Sequence, residues 1–205
     1  MVETVKIQGA DGQLFDVAGD FIGGVFFPHY ILADKFGNTA AIDSAHKGLV
    51  VVDEVHYQVH EGEVYSMSGK ASLDSGATAY FLGVTNSKIV HFKNGEVTTS
   101  DGPCDVYFYE DAAVSAVGSP VAATNRNRLS DNTPTLLTYS GPTVTDVGTQ
   151  LEYGLVKPTQ GKSGADASLF GIEWVLKSSS NYLIAITNNA AGTIDVGYNF
   201  FWYET

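Results

Sequence analysis

Hydrophobic and polar side chains alternate along most of this chain with a period of two, which is the spacing of a strand that buries one face. The longest such run ends the chain, where apolar residues alternate with Asp195, Gly197 and Asn199. A second apolar run, 182–187, precedes it, and the Asn- and Gly-rich residues 188–192 between the two runs predict a hairpin turn. Further strands are predicted at residues 55–59, 64–67, 78–84, 88–92, 106–109, 135–139 and 150–156.

Short sequences that favour turns separate the predicted strands. They include Asp-Ser-Gly at 74–76, Asn-Gly at 94–95 and Asp-Gly-Pro at 101–103. Roughly eight or more strands, spaced about 8–15 residues apart, predict an all-β fold, and we expect a jelly-roll-like β-sandwich. No stretch of the chain shows a convincing amphipathic helical pattern.

The N-terminal part of the chain follows a different pattern, in which glycines interrupt apolar clusters. The densest cluster spans residues 21–27. We therefore expect residues 1–45 to form a small N-terminal β extension, or an arm that docks elsewhere, and residues 46–205 to form the sandwich. Within the arm, Phe26 and Phe27 are the side chains that we expect to dock.

The negative net charge of the chain argues against nucleic acid and anionic membranes as binding partners. Acidic side chains outnumber basic ones by 23 to 11, which gives a formal net charge of −12. Such a field repels nucleic acid and anionic membranes, because phosphate binding needs clustered Lys and Arg. The sequence also shows no signal-peptide pattern and no apolar run of about 20 residues, so we expect synthesis in a cytoplasm without export by the secretory route. Cys104 is the only cysteine, so no intrachain disulfide forms, and its neighbour Asp105 does not favour a reactive thiolate.

The chain offers no recognisable catalytic motif. No Gly-x-Ser-x-Gly and no Gly-x-x-x-x-Gly-Lys sequence is present. Paired carboxylates, as in glycoside hydrolases, converge only in the folded protein. Glu54, Glu61, Glu63 and Glu173 are therefore candidates, but a solvated or interface acid is the favoured interpretation for each. We expect neither an enzyme nor a cofactor.

His56 and His60 stand four residues apart and raise the question of a metal site. Because the local period is two, we expect a strand, in which this spacing separates the side chains by roughly 13 Å, too far for one metal ion. His91 could join one of them across a hairpin, but nothing in the spacing requires it. Loop oxygens at 34–38 and 130–132 lack the regular acid spacing of a calcium loop and favour Asx turns instead.

Arg126 and Arg128 are the only arginines, and both lie in the sequence Asn-Arg-Asn-Arg at 125–128. In an extended segment they point the same way, while the asparagines face the other side. Arginine is well suited to bidentate pairing with carboxylates, so this segment could bind acids across a subunit boundary. A solvated loop is the alternative interpretation.

Several short segments of the predicted sandwich carry a family resemblance. They are His-Glu-Gly at 60–62, the stretch 75–85, Tyr-Glu at 109–110, Asn-Arg-Asn-Arg at 125–128, the stretch 173–182 and Trp-Tyr-Glu at 202–204. Together they resemble a group of tailed-phage virion proteins described as minor capsid, decoration or cement proteins. Residues 29–38 are similar to short segments of other phage structural proteins and resemble an attachment module.

The resemblance implies a jelly-roll domain, displayed as a homotrimer on the exterior of a phage capsid and bound to the major capsid protein. The rival hypothesis is a carbohydrate-binding or host-adhesion domain of a virion, because jelly rolls host many lectins. Exposed tyrosines bind sugars by stacking, and the candidates for such a platform are Tyr107, Tyr109, Tyr139 and Tyr153.

Overall fold

The protein divides into two compact units, Met1–Val52 and Asp53–Thr205. The computed structural model describes residues 54–158 and 173–205 in full, apart from the side chain of Asn94. Outside these ranges it describes the backbone of six strands.

The first unit contains five of those strands. They are β1 (Glu3–Gln8), β2 (Leu14–Ile22), β3 (Val25–Pro28), β4 (Ile42–Asp43) and β5 (Gly48–Leu49). The first three form an antiparallel sheet in the order β1-β2-β3, and the last two pair with each other. Phe26 and Phe27, the predicted docking residues, lie on β3, opposite Phe21 and Asp20 of β2. Their role in docking stays a prediction.

The second unit is built from two antiparallel sheets, here called sheet I and sheet II. Sheet I contains β6 (Val64–Leu73), β8 (Val90–Thr99), β12 (Thr124–Asn125), β16 (Ala167–Ser168), β17 (Trp174–Leu176) and β19 (Ile194–Glu204). Sheet II contains β7 (Thr78–Val84), β9 (Cys104–Glu110), β11 (Ser119–Pro120), β13 (Leu137–Ser140), β15 (Thr149–Val156) and β18 (Asn181–Asn188). The described part of the unit also contains a ribbon of β10 (Ala113–Ala116) and β14 (Thr143–Asp146) and the helix α1 (Glu54–Glu61).

The chain crosses repeatedly between the two sheets. The strand order is β12-β6-β19-β8-β16 in sheet I, with β17 also paired to β8, and β11-β13-β7-β18-β9-β15 in sheet II. Consecutive strands from β6 to β9 alternate between the sheets, as do β15, β17, β18 and β19. This alternation joins the two sheets into one β-sandwich. The predicted β-sandwich is confirmed, with one short helix added.

Aromatic rings from both sheets meet in the core. Phe92 of sheet I lies 5.4 Å from Phe108 of sheet II, and Phe81 of sheet II lies 5.9 Å from Phe200 of sheet I, measured between ring centroids. All four side chains are buried. Aromatic residues bury large apolar areas and favour such offset or edge contacts, so these pairs hold the two sheets together.

The structure corrects the strand predicted at residues 55–59, which is part of the helix α1. Val55 and Val59 are four residues apart, a spacing that fits one face of a helix as well as alternate positions of a strand. The helix ends in a Schellman motif, in which the N–H of Gly62 donates to the carbonyl of Val59 (3.1 Å) and the N–H of Glu63 to that of Gln58 (3.0 Å). Gly62 at the helix end was the signal that favoured a helix over a strand.

One predicted turn and one predicted hairpin are also wrong. Residues 94–95 do not turn the chain but continue β8, where Phe92 pairs with Trp202 and Asn94 with Phe201. The residue between them, Lys93, is therefore an extra residue in a β-bulge, and such a bulge bends a strand without ending it.

Residues 188–192 turn the chain but do not close a hairpin, because β18 belongs to sheet II and β19 to sheet I. Buried Asn188 holds this crossover, since its side-chain amide donates to the carbonyls of Leu73 (2.9 Å) and Gly192 (2.8 Å). Alternation along each strand predicted the two elements correctly, but it carries no information on which sheet each one joins.

An acid network on sheet I centres on Glu173. Its carboxylate contacts Nζ of Lys93 (2.8 Å), Nδ1 of His91 (2.6 Å) and the donating hydroxyl of Tyr203 (3.1 Å). Burial alone would raise the pKa of Glu173, but these hydrogen bonds outweigh it and leave the pKa below its ordinary value of 4.5. The ionised carboxylate is therefore the form that stabilises the folded state.

Acidification should weaken the stabilisation of the folded state by the Glu173 carboxylate. Because the folded-state pKa of Glu173 lies below the unfolded one, its stabilising effect is complete above pH 4.5 and is lost as the pH falls through the folded-state value. We expect Glu173→Gln to be less stable than the wild type at pH 7, with the difference shrinking below pH 4.5. Urea unfolding at several pH values measures it, and a difference that is constant between pH 7 and pH 3 would contradict the assignment.

Candidate functional site

The segment that carries both arginines is fastened to the end of helix α1. We call residues 125–132 the arginine loop. The side-chain amide of Asn125 donates to the carbonyl of Gly62 (2.8 Å), and that of Asn127 donates to the carbonyl of His60 (3.0 Å). The amide of Asn132 donates to the carbonyl of Glu61 (3.3 Å). Three asparagines thus satisfy three consecutive carbonyls at the helix end, which have no partner within the helix.

Gly62 lets the loop approach this closely. Its φ is +76°, a conformation that favours glycine, and a Cβ at this position would lie 2.2 Å from the Oγ of Ser130. Both the helix end and the loop contact therefore depend on a glycine here.

The backbone of the loop is held by two successive Asx turns. The N–H of Asn127 donates to Oδ1 of Asn125 (2.9 Å), and the N–H of Leu129 donates to Oδ1 of Asn127 (3.0 Å). Each asparagine that precedes an arginine thereby sets the backbone that follows it. The arginine loop is consequently ordered before it meets any partner.

Residues 126–129 form bends and turns, not the extended segment that would place both arginines on one side. Arg126 and Arg128 are exposed, whereas Asn125 is buried. The Arg126 guanidinium lies 5.8 Å from the ring centroid of Phe201, and Nη1 of Arg128 donates to the carbonyl of Asn125 at 3.5 Å. Within 54–158 and 173–205, no carboxylate forms an ion pair with either arginine.

An apolar side chain adjoins the two cations. Leu129 is 97% exposed, more than any other large apolar residue described. The leucine offers a binding partner an apolar contact, and the two neighbouring guanidinium groups offer it N–H donors in a planar arrangement. The sequence pattern gave no sign of Leu129, because a single leucine after a polar segment is uninformative.

The predicted distance between His56 and His60 is wrong. Both side chains project from α1 one turn apart, and their Nε2 atoms are 3.0 Å apart. His91 is elsewhere and contacts Glu173. Among the described residues, no group of three or more His, Cys, Asp or Glu side chains could hold a metal ion.

The other candidates for chemistry have structural roles or lie in solvent. Glu54 and Glu61 are exposed on α1, and Glu63 lies 2.5 Å from Nζ of Lys88. Burial, with a smaller contribution from the charge of Asp105, raises the pKa of the Cys104 thiol to about 11, so it is not a nucleophile at neutral pH. The oxygens at 130–132 form a turn, in which the N–H of residue 132 donates to the hydroxyl of residue 130 (3.2 Å), and residues 34–38 lie outside the described residues.

Three of the four predicted platform tyrosines lie together on the outer side of sheet II. The ring centroid of Tyr107 is 5.8 Å from that of Tyr109 and 5.2 Å from that of Tyr153. The hydroxyl of Tyr153 donates to Asp105 (2.8 Å), and Tyr153 is 49% exposed. Tyr139 lies on β13, three strands away from β9, and is not part of this group. We call Tyr107, Tyr109 and Tyr153 the tyrosine patch.

Comparison with known proteins assigns no family. No family model and no curated protein sequence matches this chain. In the part of the chain that the structure describes, no helix is long and apolar enough to cross a membrane.

Proposed function

We propose that this protein is a structural component of a tailed-phage particle that binds the exterior of the capsid. The observation that carries the proposal is the arginine loop. In a protein of net charge −12, its only two arginines are exposed, held in place and without a carboxylate partner among the described residues. An acidic chain that keeps such cations available presents them to carboxylates of another subunit.

The anchoring of the loop bears directly on affinity. Binding costs conformational entropy whenever a flexible segment becomes ordered at an interface. Here the asparagine contacts and the two Asx turns order the backbone in the free protein. The arginine loop therefore loses less conformational entropy when its guanidinium groups bind carboxylates of the major capsid protein.

Several weak contacts would add up on a repetitive lattice. We expect a homotrimer, which presents three arginine loops and three N-terminal units at once. Linked contacts of this kind convert later binding events into intramolecular ones, so modest individual affinities give tight attachment. Residues 1–45, with Phe26 and Phe27, form the docking arm in this scheme.

Capsid binding is the direct test. The full-length protein should co-sediment with purified tailed-phage capsids that lack their decoration protein, and binding should saturate at a fixed number of copies per capsid. Light scattering of the free protein should give the mass of a trimer. Failure to bind such capsids, together with a monomeric mass at micromolar concentration, would reject the proposal.

A glycan-binding role is the second candidate, and the tyrosine patch favours it. Sugars stack on exposed aromatic rings and donate hydrogen bonds from their hydroxyls to nearby carboxylates, here Asp105 beside Tyr153. A glycan array probed with the full-length protein and with Tyr153→Ala separates the two roles. Glycan binding that Tyr153→Ala removes, without any capsid binding, would support the second role over the first.

A further inference from the structure

The two histidines of helix α1 face each other across one turn of the helix. Their ring centroids are 4.7 Å apart with an interplanar angle of 66°, and their Nε2 atoms are 3.0 Å apart. This geometry has two chemical uses. Either one ring donates an N–H to the other, or both nitrogens direct their lone pairs to the same cation.

We propose that His56 and His60 form a two-histidine site for a divalent transition-metal ion, with Cu²⁺ bound most tightly and Ni²⁺ next. With metal–nitrogen bonds of about 2.1 Å, nitrogens separated by 3.0 Å subtend about 90° at the metal. That is the angle between adjacent ligands of a square-planar or tetragonal ion, which Cu²⁺ and Ni²⁺ prefer. A tetrahedral ion such as Zn²⁺ would need nitrogens about 3.4 Å apart.

The order of affinities follows from the same ligands. Imidazole sites bind Cu²⁺ more strongly than Ni²⁺ or Zn²⁺ along the Irving–Williams series. Within the described residues no group of three or more His, Cys, Asp or Glu side chains could hold a metal ion, so the pair would supply two ligands. Water or a further ligand would occupy the other positions of the metal.

The site is held in place on its backbone side. The carbonyl of His60 accepts the side-chain amide of Asn127 at 3.0 Å, and the Schellman motif at Gly62 fixes the end of the helix. The net charge of −12 also attracts cations to the protein as a whole.

When both imidazoles are neutral, metal binding moves a proton within one ring but releases none to solvent. In the metal-free form one Nε2 carries the proton that bridges the two rings. On binding, that ring takes its other tautomer with the proton on Nδ1, so both Nε2 atoms coordinate the cation. Metal binding thus replaces one hydrogen bond by two metal–nitrogen bonds.

The test is titration of the full-length protein with Cu²⁺ and with Ni²⁺ in a non-chelating buffer, followed by calorimetry. His56→Ala and His60→Ala should each weaken Cu²⁺ binding by about tenfold or more, because the second imidazole acts as an intramolecular ligand at high effective concentration. The matched control is Gln58→His combined with His60→Ala. It keeps five histidines and the net charge but places the second ring on the opposite side of the helix, so it should not restore binding.

Electron paramagnetic resonance of the wild-type Cu²⁺ complex gives a readout that does not depend on how the variants fold. Two equatorial nitrogens are expected in the wild type. A spectrum with no more than one nitrogen, or equal affinities for the wild type and the relocated variant, would overturn the proposal. Circular dichroism of each variant confirms that α1 and the sandwich remain folded.

Discussion

Replacing Glu204 with alanine should lower the free energy of unfolding by about 3–5 kcal/mol, one of the two largest effects expected for this protein. Glu204 is fully buried on β19. Its carboxylate accepts hydrogen bonds from the backbone N–H groups of Thr135 (2.8 Å) and Leu136 (3.0 Å), the hydroxyl of Thr135 (2.7 Å) and the indole N–H of Trp202 (3.1 Å). Alanine would leave four donors without a partner in a site that has little access to water.

Two further variants separate the lost hydrogen bonds from other effects. Glu204→Gln keeps the size of the side chain and one acceptor oxygen, but it turns an NH₂ group toward N–H donors, so we expect a loss of about 1–3 kcal/mol. Glu96→Ala removes an exposed acid from the same sheet and should change stability by no more than about 0.5 kcal/mol. Chemical denaturation measures all three, and a loss below about 1 kcal/mol for Glu204→Ala would show that the donors find other partners.

The role of Glu204 illustrates what the sequence could not show. Position 204 is in phase with Phe200 and Trp202, so alternation places it on the apolar face of β19, although glutamate is rarely buried. Three of its four donors belong to Thr135 and Leu136, which lie 69 and 68 residues away in the segment just before β13. Alternation predicts which residues share a face, but not which distant segment covers that face.

The limits of alternation as a signal also explain which strands were predicted correctly and which element was missed. Strands such as β7 and β18 were predicted well, because aromatic and β-branched residues make up at least half of each strand. Helix α1 was missed because it is only eight residues long and its two valines are four residues apart. That spacing fits the strand period of two as well as the helical period of 3.6. Since the helix was missed, the convergence of His56 and His60 was missed with it.

The candidate site could be predicted only in part. The concentration of both arginines in one segment marked residues 125–128 as unusual. The anchoring of that segment to His60, Glu61 and Gly62 joins parts of the chain more than 60 residues apart. The structure brings these two segments into contact, which the sequence alone does not indicate.

Replacing Arg126 and Arg128 together with alanine should weaken capsid binding by at least about thirtyfold, or roughly 2 kcal/mol. In the proposed complex each guanidinium would supply charge-assisted hydrogen bonds to a carboxylate of the partner, and multivalent attachment would make the loss accumulate over the subunits. Both side chains are exposed, so the variant should fold normally apart from the small loss of the Arg126–Phe201 contact. Quantitative co-sedimentation at several salt concentrations measures the affinity, and the variant should be less sensitive to salt.

A charge-matched control separates the arginine loop from general attraction. Lys70 and Lys157 are exposed, and replacing both with alanine changes the net charge by the same amount. That variant should bind capsids nearly as well as the wild type. Replacing both arginines with lysine should give an intermediate affinity, because lysine keeps the charge but loses the planar fork that pairs with two carboxylate oxygens. If the two alanine variants bind equally, the capsid responds only to total charge, and the arginine loop is not its contact surface.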